Sequence, residues 1–118
     1  MSYITDIKTS FKASGVIPAG SRVKYVAGGL VSLAGVDEIE IGVALLVSGK
    51  DSYADGSIVG VQLRHVPVVA LAAGAFADGA VVQRMASGKV DDTGAGAAYG
   101  VALQASSAAL DLVPVAPY

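Results

Sequence analysis

The side chains able to do chemistry in this sequence are few and scattered. His65 is the only histidine, so a serine–histidine–acid relay would have to run through it. No Gly-x-Ser-x-Gly elbow occurs, and His65 sits in the strand-like stretch LRHVPV. That context places His65 on a surface or interface beside Arg64 rather than in a catalytic centre. Acidic residues cluster at Asp37, Glu38 and Glu40 and again at Asp91 and Asp92. Paired carboxylates can hold calcium or divide acid and base roles. Neither cluster has the spacing of a calcium loop, so both are expected to be solvated loops. Two Gly-Lys pairs, Gly49-Lys50 and Gly88-Lys89, raise the question of phosphate. A P-loop needs an earlier glycine at a fixed distance and serine or threonine after the lysine. Those positions hold Ala44 and Asp51 in one case, Gln83 and Val90 in the other. Both fail, and no enzyme, metal site or cofactor is expected.

Composition points towards contact instead. The chain has 118 residues, which favours one domain burying roughly two-thirds of its unfolded surface. It has no cysteine, so neither disulfides nor thiolate metal sites contribute. A net charge of -2 leaves no basic footprint for nucleic acid. Only 15% of residues are charged and 53% are apolar, so the surface must be poor in charge. Exposed apolar area of that kind marks contact with another protein, either self-assembly or a large partner. The start, MSYITDIKTSFK, lacks the apolar core of a signal peptide. The longest uncharged apolar stretch, residues 66–77, is too short to span a bilayer and is broken by Pro67 and Gly74. No membrane partner is expected.

The elements that carry these residues repeat. When Gly20 is laid on Gly79, GSRVKYVAGGLVSLAG meets GAVVQRMASGKVDDTG, with Gly29 on Gly88, Val31 on Val90 and Gly35 on Gly94. After one residue of slippage, IGVAL meets YGVAL. Glycines at matched positions mark turns or close backbone approach. Each copy predicts a strand (22–26 or 81–85) and a tight hairpin turn at Gly28-Gly29 or Ser87-Gly88. A second strand then starts at Leu30 or Lys89, and a third follows at 39–46 or 98–104. The small residues of the third strand, Gly42, Ala44, Gly100 and Ala102, suit a core strand with a bend, or close approach of a neighbour.

Further strands are predicted at 57–63, 66–71 and 110–115. Pro67 cannot donate to a ladder and marks an edge or bulge there. Residues 106–110 are compatible with a single helical turn. The whole reads as all-β: a small β-barrel or sandwich of short strands at spacings of about 8–12 residues. It is built from two related units, about 18–63 and 77–115, in one domain of residues 15–118. Residues 1–14, with Tyr3, Ile7 and Phe11 between polar neighbours, read either as a frayed terminus or as an extended amino-terminal arm that orders on a partner, and the arm is the reading taken. Deleting them is expected to leave a folded oligomer that no longer binds its target.

The order KTSFKASG, RVKYV, GGLV, IGVAL, ADGSIVGVQLRHVPVVALAAGAFADGAVV, SGKV, YGVAL, LDLVPVAPY resembles the capsid decoration, or cement, proteins of tailed bacteriophages. The likeness covers nearly the whole chain and rests on glycine and valine patterns. It implies a β-rich homo-oligomer, a trimer in preference to a dimer, on the outside of the phage head. There it would clamp neighbouring major capsid proteins and stabilise the expanded shell. The protein would be made in the host cytoplasm and end in the virion. The residues expected to meet capsid or sister subunits are Tyr3, Ile7, Phe11, Arg64, His65 and Pro67. Two alternatives stand: another virion β-domain, such as a tail or fibre base, and a small carrier or ligand-binding β-barrel with Lys50 or Lys89 modified. The carrier reading lacks the flanking methionines of biotinyl and lipoyl domains, since Met85 lies too far ahead of Lys89.

Overall fold

Short runs of β-branched residues with a two-residue period cannot bury a face as helices, and the chain is all-β. The computed structural model describes residues 10–46, 51–63, 67–93 and 96–118. Among them are twelve strands and one three-residue 3-10 turn, Ala86–Gly88. Five strands form a closed barrel: β1 (Ser10–Ala13), β3 (Arg22–Val26), β4 (Leu30–Leu33), β5 (Gly42–Ala44) and β7 (Ile58–Leu63), in the order β1-β4-β3-β5-β7. Phe11, Ala13, Val23, Val31, Val59 and Val61 fill its interior, as alternation along each strand requires. A small pair, β2 (Ile17–Pro18) with β6 (Ser52–Tyr53), adds Ile17 and Tyr53 to that core.

The second unit is a five-stranded sheet of β8 (Val68–Leu71), β9 (Val81–Arg84), β10 (Val90–Asp91), β11 (Ala98–Ala102) and β12 (Leu112–Pro117). Its order is β10-β9-β11-β12-β8. Val68, Ala70, Val82, Val90, Val113 and Val115 are part of a separate core. The molecule measures 46 × 33 × 27 Å, with the units side by side along its length.

The two units repeat register for register. Tyr25 opposes Val31 as Arg84 opposes Val90. Phe11 opposes Val59 as Ala70 opposes Val113. Ala13 bridges to Val31 in parallel, and Ala72 bridges to Val90 the same way. Even the small flap recurs, Ile17–Tyr53 in one unit and the bridge Phe76–Ser106 in the other.

These pairings change two expectations. Residues 10–13, assigned from sequence to an extended arm outside both units, are the strand that closes the first barrel, and the first unit begins there. Its counterpart β8 likewise opens the second unit before residue 77. No helical turn forms at 106–110, where Leu110 takes a positive φ of 71° and Asp111 caps the loop through the Ser107 and Ala108 N–H groups. The Gly28-Gly29 and Ser87-Gly88 hairpins form as expected, all four residues having positive φ.

The doubled Gly-Val-Ala-Leu has a packing cause. A Cβ on Gly42 would lie 2.2 Å from the Gln62 carbonyl oxygen, and one on Gly100 2.3 Å from that of Ala116. At these points β5 presses against the backbone of β7 and β11 against that of β12, and only glycine fits. On its other edge, β11 shifts register against β9 between Ala98 and Gly100. The core-strand reading of these residues therefore holds.

Candidate interaction surface

The first feature that positions any surface on this molecule is the seam between units. In the first barrel the Lys12 N–H donates to the Gly29 carbonyl at 2.9 Å, closing β1 against the hairpin. Leu71, which occupies the place of Lys12 in the second unit, donates instead to Gly20 of the first unit at 2.9 Å. The Gly88 N–H donates across the seam to the Ala34 carbonyl at 2.8 Å. The second barrel thus stays partly open because a corner of the first, residues 20–22, occupies the gap. Both glycines are forced by this approach: a Cβ on Gly20 would meet the Leu112 side chain at 2.6 Å, and one on Gly88 the Arg22 carbonyl at 2.6 Å.

Charge is concentrated in that seam. Arg22 of β3, Glu40 ahead of β5, and Arg84 of β9 are 0%, 1% and 9% exposed. The Glu40 carboxylate accepts from Arg22 Nη1 at 3.3 Å, from Arg84 Nε at 2.9 Å and from Arg84 Nη2 at 3.1 Å. Arg22 also donates to the carbonyls of Lys89, Gly35 and Met85, and Arg84 to that of Ala98. The Arg84 guanidinium lies 5.7 Å from the Tyr99 ring centroid. Burial lowers the Arg22 pKa from its ordinary value, and the Glu40 carboxylate works in the opposite direction. Such a cluster contributes little net stability compared with apolar packing, but one partner cannot be lost without leaving charge stranded. Here it fixes how the two units meet, because its members come from both.

The acidic cluster at 37–40 is therefore only partly the solvated loop that its sequence suggests. Glu38 pairs with Lys24 and accepts the Gly35 N–H at 2.8 Å, and these contacts hold its carboxyl below the usual range. Glu40 is buried in the seam. Sequence reasoning missed Arg22, Glu40 and Arg84 as a set. The available signal was an arginine in each of two short valine-containing strands, and a glutamate just ahead of the core residues of β5.

Apolar side chains remain exposed in two groups. Val16, Leu46, Leu110 and Leu112 border a groove of about 540 Å³ that also contains Asp51 and Lys89. Leu46 continues into a smaller groove of about 200 Å³ with Leu45 and Val69. Both grooves run along the seam. Tyr25, Val26 and Ile58 are exposed on the first barrel, Val81 and Leu103 on the second unit.

Of the residues expected to make interfaces, Tyr3, Ile7, Arg64 and His65 lie outside the described residues. Phe11 is a correction: it is buried inside the first barrel, with its ring edge-on to Tyr25 at 6.0 Å. Alternation along β1 turns it inward, so it offers no surface to a partner. Pro67 is exposed, immediately precedes β8, and lines the smaller groove. Its missing N–H costs no ladder bond because the strand starts one residue later. Lys50 lies outside the described residues. Lys89 follows a hairpin that is docked in the seam through Gly88, not raised as a tip.

No family model matches the sequence, and no curated protein matches it. Among solved structures the fold is shared. The crystal structure of the head fiber gp8.5 N base in bacteriophage phi29 matches with a TM-score of 0.74 at 17% identity, over 92% of this chain and 91% of that one. This chain therefore has the fold of that head fibre base along nearly its entire length.

Proposed function

We propose that this chain is a structural protein of a phage particle, seated on the outside of the head and acting through shape and apolar contact. The observation that carries the reading is the shared two-unit architecture with a head fibre base across 92% of the chain. The exposed apolar residues along the seam and on both units fit that role, since exposed apolar area on so weakly charged a chain suits protein contact. The partners in this reading are the major capsid protein and further copies of the chain, a trimer in preference to a dimer. It is made in the host cytoplasm and finishes in the virion.

Two forms of the role are open to test. As a decoration protein it clamps neighbouring capsid subunits and stabilises the expanded shell. A modest contact energy suffices there, because an oligomer multiplies its grip through effective concentration and the shell repeats each site. As a fibre base it binds the same shell and anchors a projecting part, and the shared fold fits this form comparably. The test is to add purified protein to expanded heads that lack it, then measure co-sedimentation and the temperature at which heads release DNA. Binding with a raised release temperature supports clamping. Binding without it supports the base role. No binding at any expansion stage refutes both.

A further inference from the structure

The seam joins two unlike faces of one repeat. The first unit contributes its β2–β3 corner and the end of β5, through Gly20, Arg22, Glu40 and Leu45. The second contributes its β9–β10 hairpin, the end of β8 and the start of β12, through Arg84, Met85, Gly88, Leu71 and Leu112. A joint between unlike faces leaves one of each unused at the ends of the pair. The matched registers identify the residues that stand there. On the spare corner face of the second unit, Gly79 takes the place of Gly20, Val81 of Arg22, Ala98 of Glu40 and Leu103 of Leu45. On the spare hairpin face of the first unit, Tyr25 takes the place of Arg84, Val26 of Met85, Gly29 of Gly88 and Ile58 of Leu112. Arg22, Glu40 and Arg84 thus have uncharged counterparts, while Lys12, exposed, stands in the place of Leu71. Among the described residues, the two ends also account for the exposed large hydrophobics that the grooves do not, apart from Ile39 and Tyr118.

We infer that copies of this chain join end to end, the corner face of one second unit seated on the hairpin face of the next first unit. The chemistry of this joint differs from that of the seam. The hairpin end of the first barrel is already closed, Lys12 N–H to Gly29 carbonyl and Gly29 N–H to Tyr25 Oη at 3.1 Å. A partner therefore rests on it instead of inserting, and the contact is mainly apolar, with Lys12 at its border. It is weaker than the internal seam, since it has no counterpart of the buried Arg22–Glu40–Arg84 cluster. The division has a physical use: the buried charges make the joint inside one chain distinct from the joint between chains, so units do not exchange partners. The inference deepens the self-association in the proposed function and rests on that part of it.

The test uses full-length protein and native mass spectrometry with sedimentation velocity. Ile58→Asp blocks one end and Val81→Asp the other; both residues are exposed, 62% and 45%, and circular dichroism confirms that each variant folds. Val26→Asp and Leu103→Asp serve as second variants for the two ends. Ile39→Asp, 71% exposed and on neither end, is the control. Each end variant alone is expected to weaken association about tenfold or more, and the control to assemble like wild type. Mixing Ile58→Asp with Val81→Asp is expected to restore one joint and give a dimer containing one of each, because each partner keeps the face the other has lost. Unchanged assembly of the end variants, or no mixed dimer, overturns the inference while leaving self-association intact. A wild type that is monomeric at all concentrations overturns both.

Discussion

Replacing Glu40 with glutamine tests the seam most sharply. The carboxylate spans both units, at 3.3 Å from Arg22 Nη1 and 2.9 and 3.1 Å from Arg84 Nε and Nη2. Glutamine keeps the shape, but it offers one accepting oxygen and sets an NH₂ group against guanidinium donors. Two guanidiniums, 0% and 9% exposed, then lie together with no counter-charge and almost no solvent. Breaking a buried pair by losing one partner costs about 3–5 kcal/mol, a large share of the roughly 5–15 kcal/mol that holds a domain folded. At about 3–6 °C per kcal/mol for a chain of this length, the melting temperature is expected to fall by roughly 10–25 °C. Urea unfolding followed by circular dichroism reads the loss directly. A companion variant with Arg22, Glu40 and Arg84 all changed to leucine should recover much of it, since replacing a whole buried cluster with apolar groups is often neutral or better. A Glu40→Gln protein within about 1 kcal/mol of wild type would refute the reasoning, as would a triple variant no more stable than the single one.

Three further outcomes are expected. Gly42→Ala and Gly100→Ala drive a Cβ into a neighbouring strand's carbonyl and should each cost about 2 kcal/mol or more. Gly56→Ala, with open space but a φ of +80°, should cost about 1 kcal/mol; thermal melts that reverse this ranking contradict the packing account. The Asp111 carboxyl is held below its ordinary pKa, chiefly by the Ser107 N–H and hydroxyl and also by the Ala108 N–H. The unfolded chain therefore binds the proton first as pH falls, so stability drops between the ordinary aspartate range and the lower folded value. Asp111→Asn should flatten the stability profile in that acid window; an unchanged profile contradicts the assignment. A chain starting at residue 15 loses β1 with Phe11 and Ala13, and should unfold at clearly lower denaturant because losing a buried phenylalanine alone costs about 3–5 kcal/mol. An unchanged midpoint would show that β1 does not close the barrel.

Much of the fold was legible because it rests on local rules. The hairpin glycines, the two-residue period of RVKYV and SIVGVQL, and the doubled Gly-Val-Ala-Leu each specify a strand or turn without reference to distant partners. The first strand was missed for a reason that is also physical. Phe11 and Ala13 alternate with polar Ser10 and Lys12, a pattern shared by a frayed terminus and a strand exposed on one face, and only the distant pairings with β4 and β7 decide between them. Continuing the alignment backwards from Gly20 on Gly79 to Gly15 on Gly74 and Ala13 on Ala72 carries that signal. The seam was less legible still. Arg22, Glu40 and Arg84 are distant in sequence and have no counterparts in their own repeat, so neither periodicity nor self-comparison links them. An acidic loop beside a core strand reads as solvated until the second unit is placed against it.

The central claim is that this chain belongs on the outer surface of a phage head. A density map of virions from a phage whose genome encodes it measures that directly. The account requires side-by-side strand barrels, 46 Å in their long dimension, resting on the capsid shell at symmetry-related sites. Heads bare of such density, or the same density confined to the tail or the shell interior, would contradict it.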